Sequence, residues 1–103
     1  MIEMEVKIQK QESEVIAELI GRLDTPASLE AAPAFDSLKA DAAGTVILDC
    51  SQLSYISSSG LRLFLGVRKA AGEKGGKVIV KNISSEIRTV FMMTGFLNLF
   101  EIQ

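Results

Sequence analysis

The chain contains no histidine, no tryptophan, one cysteine and two prolines among 103 residues. Without histidine it lacks the usual general base near neutral pH and the commonest nitrogen ligand for a metal. Its single cysteine, Cys50, cannot close an intrachain disulfide, and a position at the end of an apolar run fits a small buried side chain in a reducing compartment. A basic excess is missing as well. Eleven Lys and Arg stand against 13 Asp and Glu, for a net charge of −2, so nothing can neutralise a run of phosphates and nucleic acid is not an expected partner. No apolar run approaches the roughly 20 residues that cross a bilayer, and Met1-Ile2-Glu3-Met4-Glu5 lacks the basic start and apolar stretch of an export signal. The expected location is cytoplasmic, with no direct membrane insertion.

What is present suits a packed core. The chain is 48% hydrophobic and 23% charged, the balance of an ordinary folded protein, and its length predicts a single domain over residues 1–103.

Met4-Glu5-Val6-Lys7-Ile8-Gln9-Lys10 alternates apolar and polar, the pattern of a strand with one wet face. Residues 14–23 carry Val15, Ile16, Leu19 and Ile20, a spacing that also suits a helix. Gly21 and the short hairpin available to the first strand favour a second strand. Asp24-Thr25-Pro26 then opens a helix, with Thr25 as the expected cap and Pro26 at the first helical position. Ala31, Ala34, Phe35 and Leu38 give that helix an apolar face to about Ala42, with an irregularity expected near Ala32 because Pro33 removes a ladder bond.

A central strand is predicted over 45–49, a serine-bearing loop over 53–60, and a second helix over about 58–73, ended by Gly72, Gly75 and Gly76. Lys77-Val78-Ile79-Val80 reads as a buried strand. Ser84-Ser85-Glu86 starts a third helix that runs to Gly95, and residues 96–102 are expected to form a last strand. The predicted architecture is α/β, β-β-α-β-α-β-α-β, with a mainly parallel sheet entered by an N-terminal antiparallel hairpin and with helices packed on it.

Ser57-Ser58-Ser59-Gly60, where the central strand feeds a helix, is the candidate site. It is not a hydrolase elbow of the form Gly-x-Ser-x-Gly, because position 56 is Ile and no histidine can activate a serine. Gly76-Lys77 fails as a phosphate-binding loop, since position 71 is Ala and Val78 follows the lysine. Glu3, Glu5, Glu12 and Glu14 show only the alternation of wet strand positions. No enzyme, metal site or cofactor is expected. One serine suffices to cap a helix, at about 1 kcal/mol. The remaining hydroxyls suit reversible phosphorylation, because a phosphate there meets free N–H groups and the positive end of the helix dipole.

The run Asp49-Cys50-Ser51-Gln52-Leu53-Ser54-Tyr55-Ile56-Ser57-Ser58-Ser59-Gly60-Leu61-Arg62 resembles the signature of the STAS domain family. Gly21-Arg22-Leu23-Asp24-Thr25, Gly75-Gly76-Lys77-Val78 and Thr94-Gly95-Phe96 extend the likeness over nearly the whole chain. For a stand-alone member the resemblance implies an anti-sigma factor antagonist that switches partners. Unmodified, it binds an anti-sigma factor that is also a serine kinase; phosphorylation of a loop serine ends that binding, and a serine phosphatase restores it.

Carried over, the phosphate acceptor falls on Ser58, with Ser57 and Ser59 as alternatives. Well-studied antagonists commonly have Asp just before the acceptor, where this chain has Ser57. The expected partner surface comprises Asp24, Ser54, Tyr55, Ser57, Ser58, Ser59, Gly60, Arg62 and Lys69. A regulatory or structural subunit of a transport assembly, built on the same fold without phosphorylation, is the alternative function.

Overall fold

The structure, a computed structural model, describes residues 4–103, so the leader reading of residues 1–5 and the Glu3 carboxylate fall partly or wholly outside it. Its elements are β1 (Met4–Lys10), β2 (Glu14–Leu23), α1 (Thr25–Ala40), β3 (Thr45–Ile56), α2 (Ser58–Lys74), β4 (Lys77–Lys81), α3 (Ser85–Thr94) and β5 (Glu101–Ile102). The strands form one sheet in chain order, β1-β2-β3-β4-β5, with β1 antiparallel to β2 and every other pair parallel. Three successive right-handed crossovers stepping the same way across a sheet leave their helices on one face.

That face holds the core. Val15, Ala17 and Leu19 of β2, Val46, Leu48 and Cys50 of β3 and Val78 and Val80 of β4 pack against Phe35, Leu38, Phe64, Val67, Ile87 and Phe91 of the helices. Strand residues one position away point the opposite way. The register therefore lays three rows across the face without helices: Glu14, Thr45 and Lys77; Gln9, Ile16, Ile47, Ile79 and Glu101; Lys7, Glu18, Asp49 and Lys81.

Several elements depart from their sequence-based bounds. Asp24, not Thr25, caps α1: its backbone is extended, and its Oδ1 accepts from the Ala27 N–H at 2.9 Å. Thr25 is already helical. The helix ends at Ala40, two residues before the expected Ala42, and it continues unbroken through Pro33. Leu29, whose carbonyl loses the bond that Pro33 cannot donate, is 77% exposed, so water can take that carbonyl.

β3 continues seven residues beyond Asp49, following β2 through two register shifts to the pair Leu23 and Ile56. Much of the expected serine loop is thus strand. In place of a strand over 96–102, Gly95 ends α3 in a left-handed conformation (φ 79°) and Phe96–Asn98 form a 3-10 turn, leaving two residues for β5. Burial explains the exchange: the Phe100 ring lies 6.2 Å from Phe64, 6.1 Å from Phe91 and 6.2 Å from Phe96, a cluster that holds the segment against the helices.

Candidate functional site

The serine run straddles the junction of β3 and α2. Ser57 is the N-cap of α2, extended at φ −92° and ψ 172°, with its Oγ accepting from the Gly60 N–H at 3.2 Å. Its own hydroxyl and N–H both donate to the Leu23 carbonyl, at 3.0 and 2.9 Å. The cap thus also staples the helix start to the end of β2.

Ser58 is the first residue of α2. It is exposed, and its hydroxyl makes no hydrogen bond among the described residues. Ser59 follows half-buried. Gly60 is buried where the first turn crosses Leu23 and Ile56, and a Cβ there would lie 2.8 Å from Leu23 Cγ and 2.9 Å from Ile56 Cγ1. Only glycine lets the helix approach so closely without displacing those side chains.

Most of the expected surface gathers at this end of the sheet, where β2 and β3 finish and α1 and α2 begin. Asp24 follows β2 directly as the α1 cap. The Ser54 hydroxyl donates to the Gly21 carbonyl at 3.0 Å, and exposed Tyr55 pairs in register with Arg22. Arg62 lies one helical turn after Ser58 on the same exposed side. Lys69 shares that stripe but sits about 16 Å further along the axis, bordering a depression formed with Arg68, Gly76 and Leu99. It is not brought to the serines.

Arg22 is a residue that the expected surface left out. Its guanidinium lies 4.5 Å from the centre of the Tyr55 ring, a cation–π contact that joins the two strand ends. The pairing follows from a register shift between Gly21 and Arg22, which strict period-two reasoning does not anticipate.

The electrostatics of the neighbouring strand are quiet. Partial burial pushes the Asp49 carboxyl up, but the Ser51 N–H, the Asn82 amide, the Ser51 side chain and Lys81 outweigh it and hold the group below its ordinary 3.8. Burial, with a smaller contribution from Asp49, pushes the Cys50 thiol up to about 12, so no thiolate nucleophile forms there near neutral pH. Among the described residues no three His, Cys, Asp or Glu side chains cluster as metal ligands. No helix among them is long and apolar enough to cross a membrane. The best-formed surface depressions, of about 130 to 370 Å³, are lined by residues away from the serines.

The fold is a β–α crossover sheet whose central strand leads into α2 through the half-buried cap Ser57 and the exposed Ser58. The STAS domain model matches residues 5–103, and the chain belongs to that family. It is 39% identical over 57 residues to BtrV of Bordetella bronchiseptica, which carries the name of an anti-sigma factor antagonist. That match takes in 55% of this chain and 49% of BtrV, so the chain spans about half the length of this relative.

Among solved structures, the anti-sigma factor antagonist SpoIIAA in its unphosphorylated form superposes with a TM-score of 0.73 at 24% identity, over 96% of this chain and 87% of the other. The Bacillus cell-fate determinant SpoIIAA in the phosphorylated form gives 0.72 at 25% identity, over 96% and 91%. An anti-sigma factor antagonist from Mycobacterium paratuberculosis gives 0.84 at 17%, over 96% and 84%, a likeness of fold.

Proposed function

We propose that this chain is a cytoplasmic anti-sigma factor antagonist that switches partners through phosphorylation of Ser58 and catalyses no step itself. The observation that carries the reading is the division of labour between adjacent hydroxyls: that of Ser57 is committed to Leu23 and Gly60, whereas that of Ser58 is exposed and unbonded among the described residues. The likeness to BtrV, and to SpoIIAA in both unphosphorylated and phosphorylated forms, supports it.

In the unmodified state the exposed end of the sheet, with Arg22, Asp24, Tyr55, Ser58 and Arg62, meets an anti-sigma factor that is also a serine kinase. The kinase transfers the γ-phosphoryl of ATP to Ser58 Oγ. A P–O bond forms to serine, the bridging bond to ADP breaks, and the hydroxyl proton passes to a base of the kinase. The modified serine then carries nearly two negative charges at the start of α2, where the first-turn N–H groups and helix dipole tolerate them. A partner seated on the neutral surface must desolvate that charge or face it, and release follows. Hydrolysis by a serine phosphatase resets the surface.

Isothermal titration against a serine-kinase anti-sigma factor from the same genome tests the reading. The wild-type chain and Ser58→Ala should bind alike, and Ser58→Asp at least about a hundredfold more weakly, a difference of about 2.7 kcal/mol. Equal binding by Ser58→Asp contradicts it.

A further inference from the structure

Among the described residues no helix packs on the second face of the sheet, and on its three central strands the side chains are ordered by sign. β2 contributes Glu14, Ile16 and Glu18, β3 contributes Thr45, Ile47 and Asp49, and β4 contributes Lys77, Ile79 and Lys81, each trio in register with the next. On these three strands acid therefore lies to one side of β3 and base to the other at equal heights, with an isoleucine row between them, while the edge strands carry the opposite signs, Lys7 beside Glu18 and Glu101 beside Ile79. Ile47 and Ile79 sit in this row outside the cluster under the helices, and neighbouring side chains leave them only 6% and 7% exposed, so the charged rows and not apolar contact set the arrangement. We propose that this face takes a second copy of the chain, packed face to face about a two-fold axis parallel to β3.

Rotation about that axis carries β2 of one copy over β4 of the other without changing height. Glu14 then faces the partner's Lys77 and Glu18 faces the partner's Lys81, and each pair occurs twice because a two-fold interface is isologous. Ile16 meets the partner's Ile79, and Ile47 meets its own counterpart. The same operation preserves the hand of the sheet twist, so the two surfaces run parallel instead of diverging at the corners. An axis across the strands does the opposite with charge: it sets Glu14 on Glu18 and Lys77 on Lys81. Complementarity thus selects one of the two face-to-face arrangements.

Two details qualify the strength of the contact. Lys77 Nζ lies 3.9 Å from Glu101 Oε1 within one copy, too long for a direct hydrogen bond, so turning toward a second copy sacrifices little. Asp49 lies on the axis and meets the partner's Asp49, with Lys81 beside it in register. Five strands spaced about 4.8 Å apart, over about five residues, offer on the order of 400 Å² per copy. That is about half of a standard interface, which places the dimer in the weak, concentration-dependent class.

Sedimentation equilibrium of the full chain from about 1 μM to 1 mM tests this. The wild type is expected to move from monomer to dimer across the range. Glu18→Lys and Lys81→Glu are each expected to weaken association at least about tenfold. An equimolar mixture of the two should recover a mixed dimer, because each variant supplies the charge that the other lacks, and recovery excludes misfolding as the cause. Asp49→Asn should tighten association by removing the repulsion on the axis. A chain that stays monomeric throughout overturns the proposal and leaves the face to a different partner. So does a mixture no tighter than its components, or an Asp49→Asn variant that fails to tighten.

Discussion

Ser57 is tied to Leu23 twice: its backbone N–H and its hydroxyl both donate to the Leu23 carbonyl, at 2.9 and 3.0 Å. The end of β2 and the start of α2 are thereby fixed to each other through a single residue, and that residue also caps the helix. A phosphate on Ser57 would break the hydroxyl bond to Leu23 and disturb the cap. Ser58, one position later, carries no such duty.

This contrast gives a stability prediction. Ser57→Ala should lower stability by about 1 kcal/mol, the usual cost of losing a cap, and so lower the melting temperature by about 4–8 °C for a domain of this size. Ser58→Ala should stay within about 0.5 kcal/mol of wild type, as expected of an exposed residue without partners. Thermal unfolding followed by circular dichroism separates the two. Equal losses would mean that the two hydroxyls share the structural work.

Gly60 makes the approach of α2 to β2 and β3 possible. A methyl group there meets Leu23 and Ile56 below 3.0 Å, so Gly60→Ala should cost about 1–3 kcal/mol, the range for overpacking a well-filled core. The gain in helix propensity, about 1 kcal/mol, offsets only part of a clash at the upper end of that range. A lower urea midpoint with an unchanged slope is the expected result. A midpoint at or above that of wild type would show that Leu23 and Ile56 can move aside.

Cys50 supplies a pH prediction. Its thiol titrates at about 12 in the folded chain against an ordinary 9.0, so the unfolded state loses the proton first as pH rises. The stability tied to the neutral buried thiol is complete below about 9 and is lost progressively as pH climbs toward about 12. Cys50→Ala should therefore show a shallower fall in urea midpoint over that interval than the wild type. Parallel curves for the two proteins would contradict the assignment. Labelling by a thiol reagent at neutral pH should also wait for unfolding, because Cys50 is buried in the core.

Much of this fold was legible because local signals agreed with one another. Alternation marked β1, and Gly75 and Gly95 marked the ends of α2 and α3, although Gly72, also expected to end α2, lies inside it. Ser84 announced the third helix, where its hydroxyl accepts from the Ile87 N–H at 3.1 Å. The Asp24-Thr25-Pro26 start was readable as a helix entry but not as a particular cap. Either side chain can accept, and the end of β2 at Leu23 decided in favour of Asp24.

Where the reading failed, long-range pairing had overruled local pattern. Burial along Leu53, Ser54, Tyr55 and Ile56 repeats at three, not two, because β3 follows the register shifts of β2. Nothing in those residues alone reveals that. The segment from Phe96 to Phe100 looked like a strand because aromatic residues favour strands, yet its rings serve as packing knobs around Phe64 and Phe91. At the site, the serines and Gly60 stood out in the sequence. Arg22 did not, since its contact with Tyr55 exists only once β2 and β3 are paired.

The measurement that tests the central claim most directly is phosphopeptide mapping after incubation of the full chain with ATP and a serine-kinase anti-sigma factor from the same genome. One phosphate per chain, located on Ser58 and absent from Ser58→Ala while Ser59→Ala still accepts it, is the predicted result. Phosphate on Ser57 or Ser59 in the wild type, or undiminished incorporation into Ser58→Ala, contradicts the account.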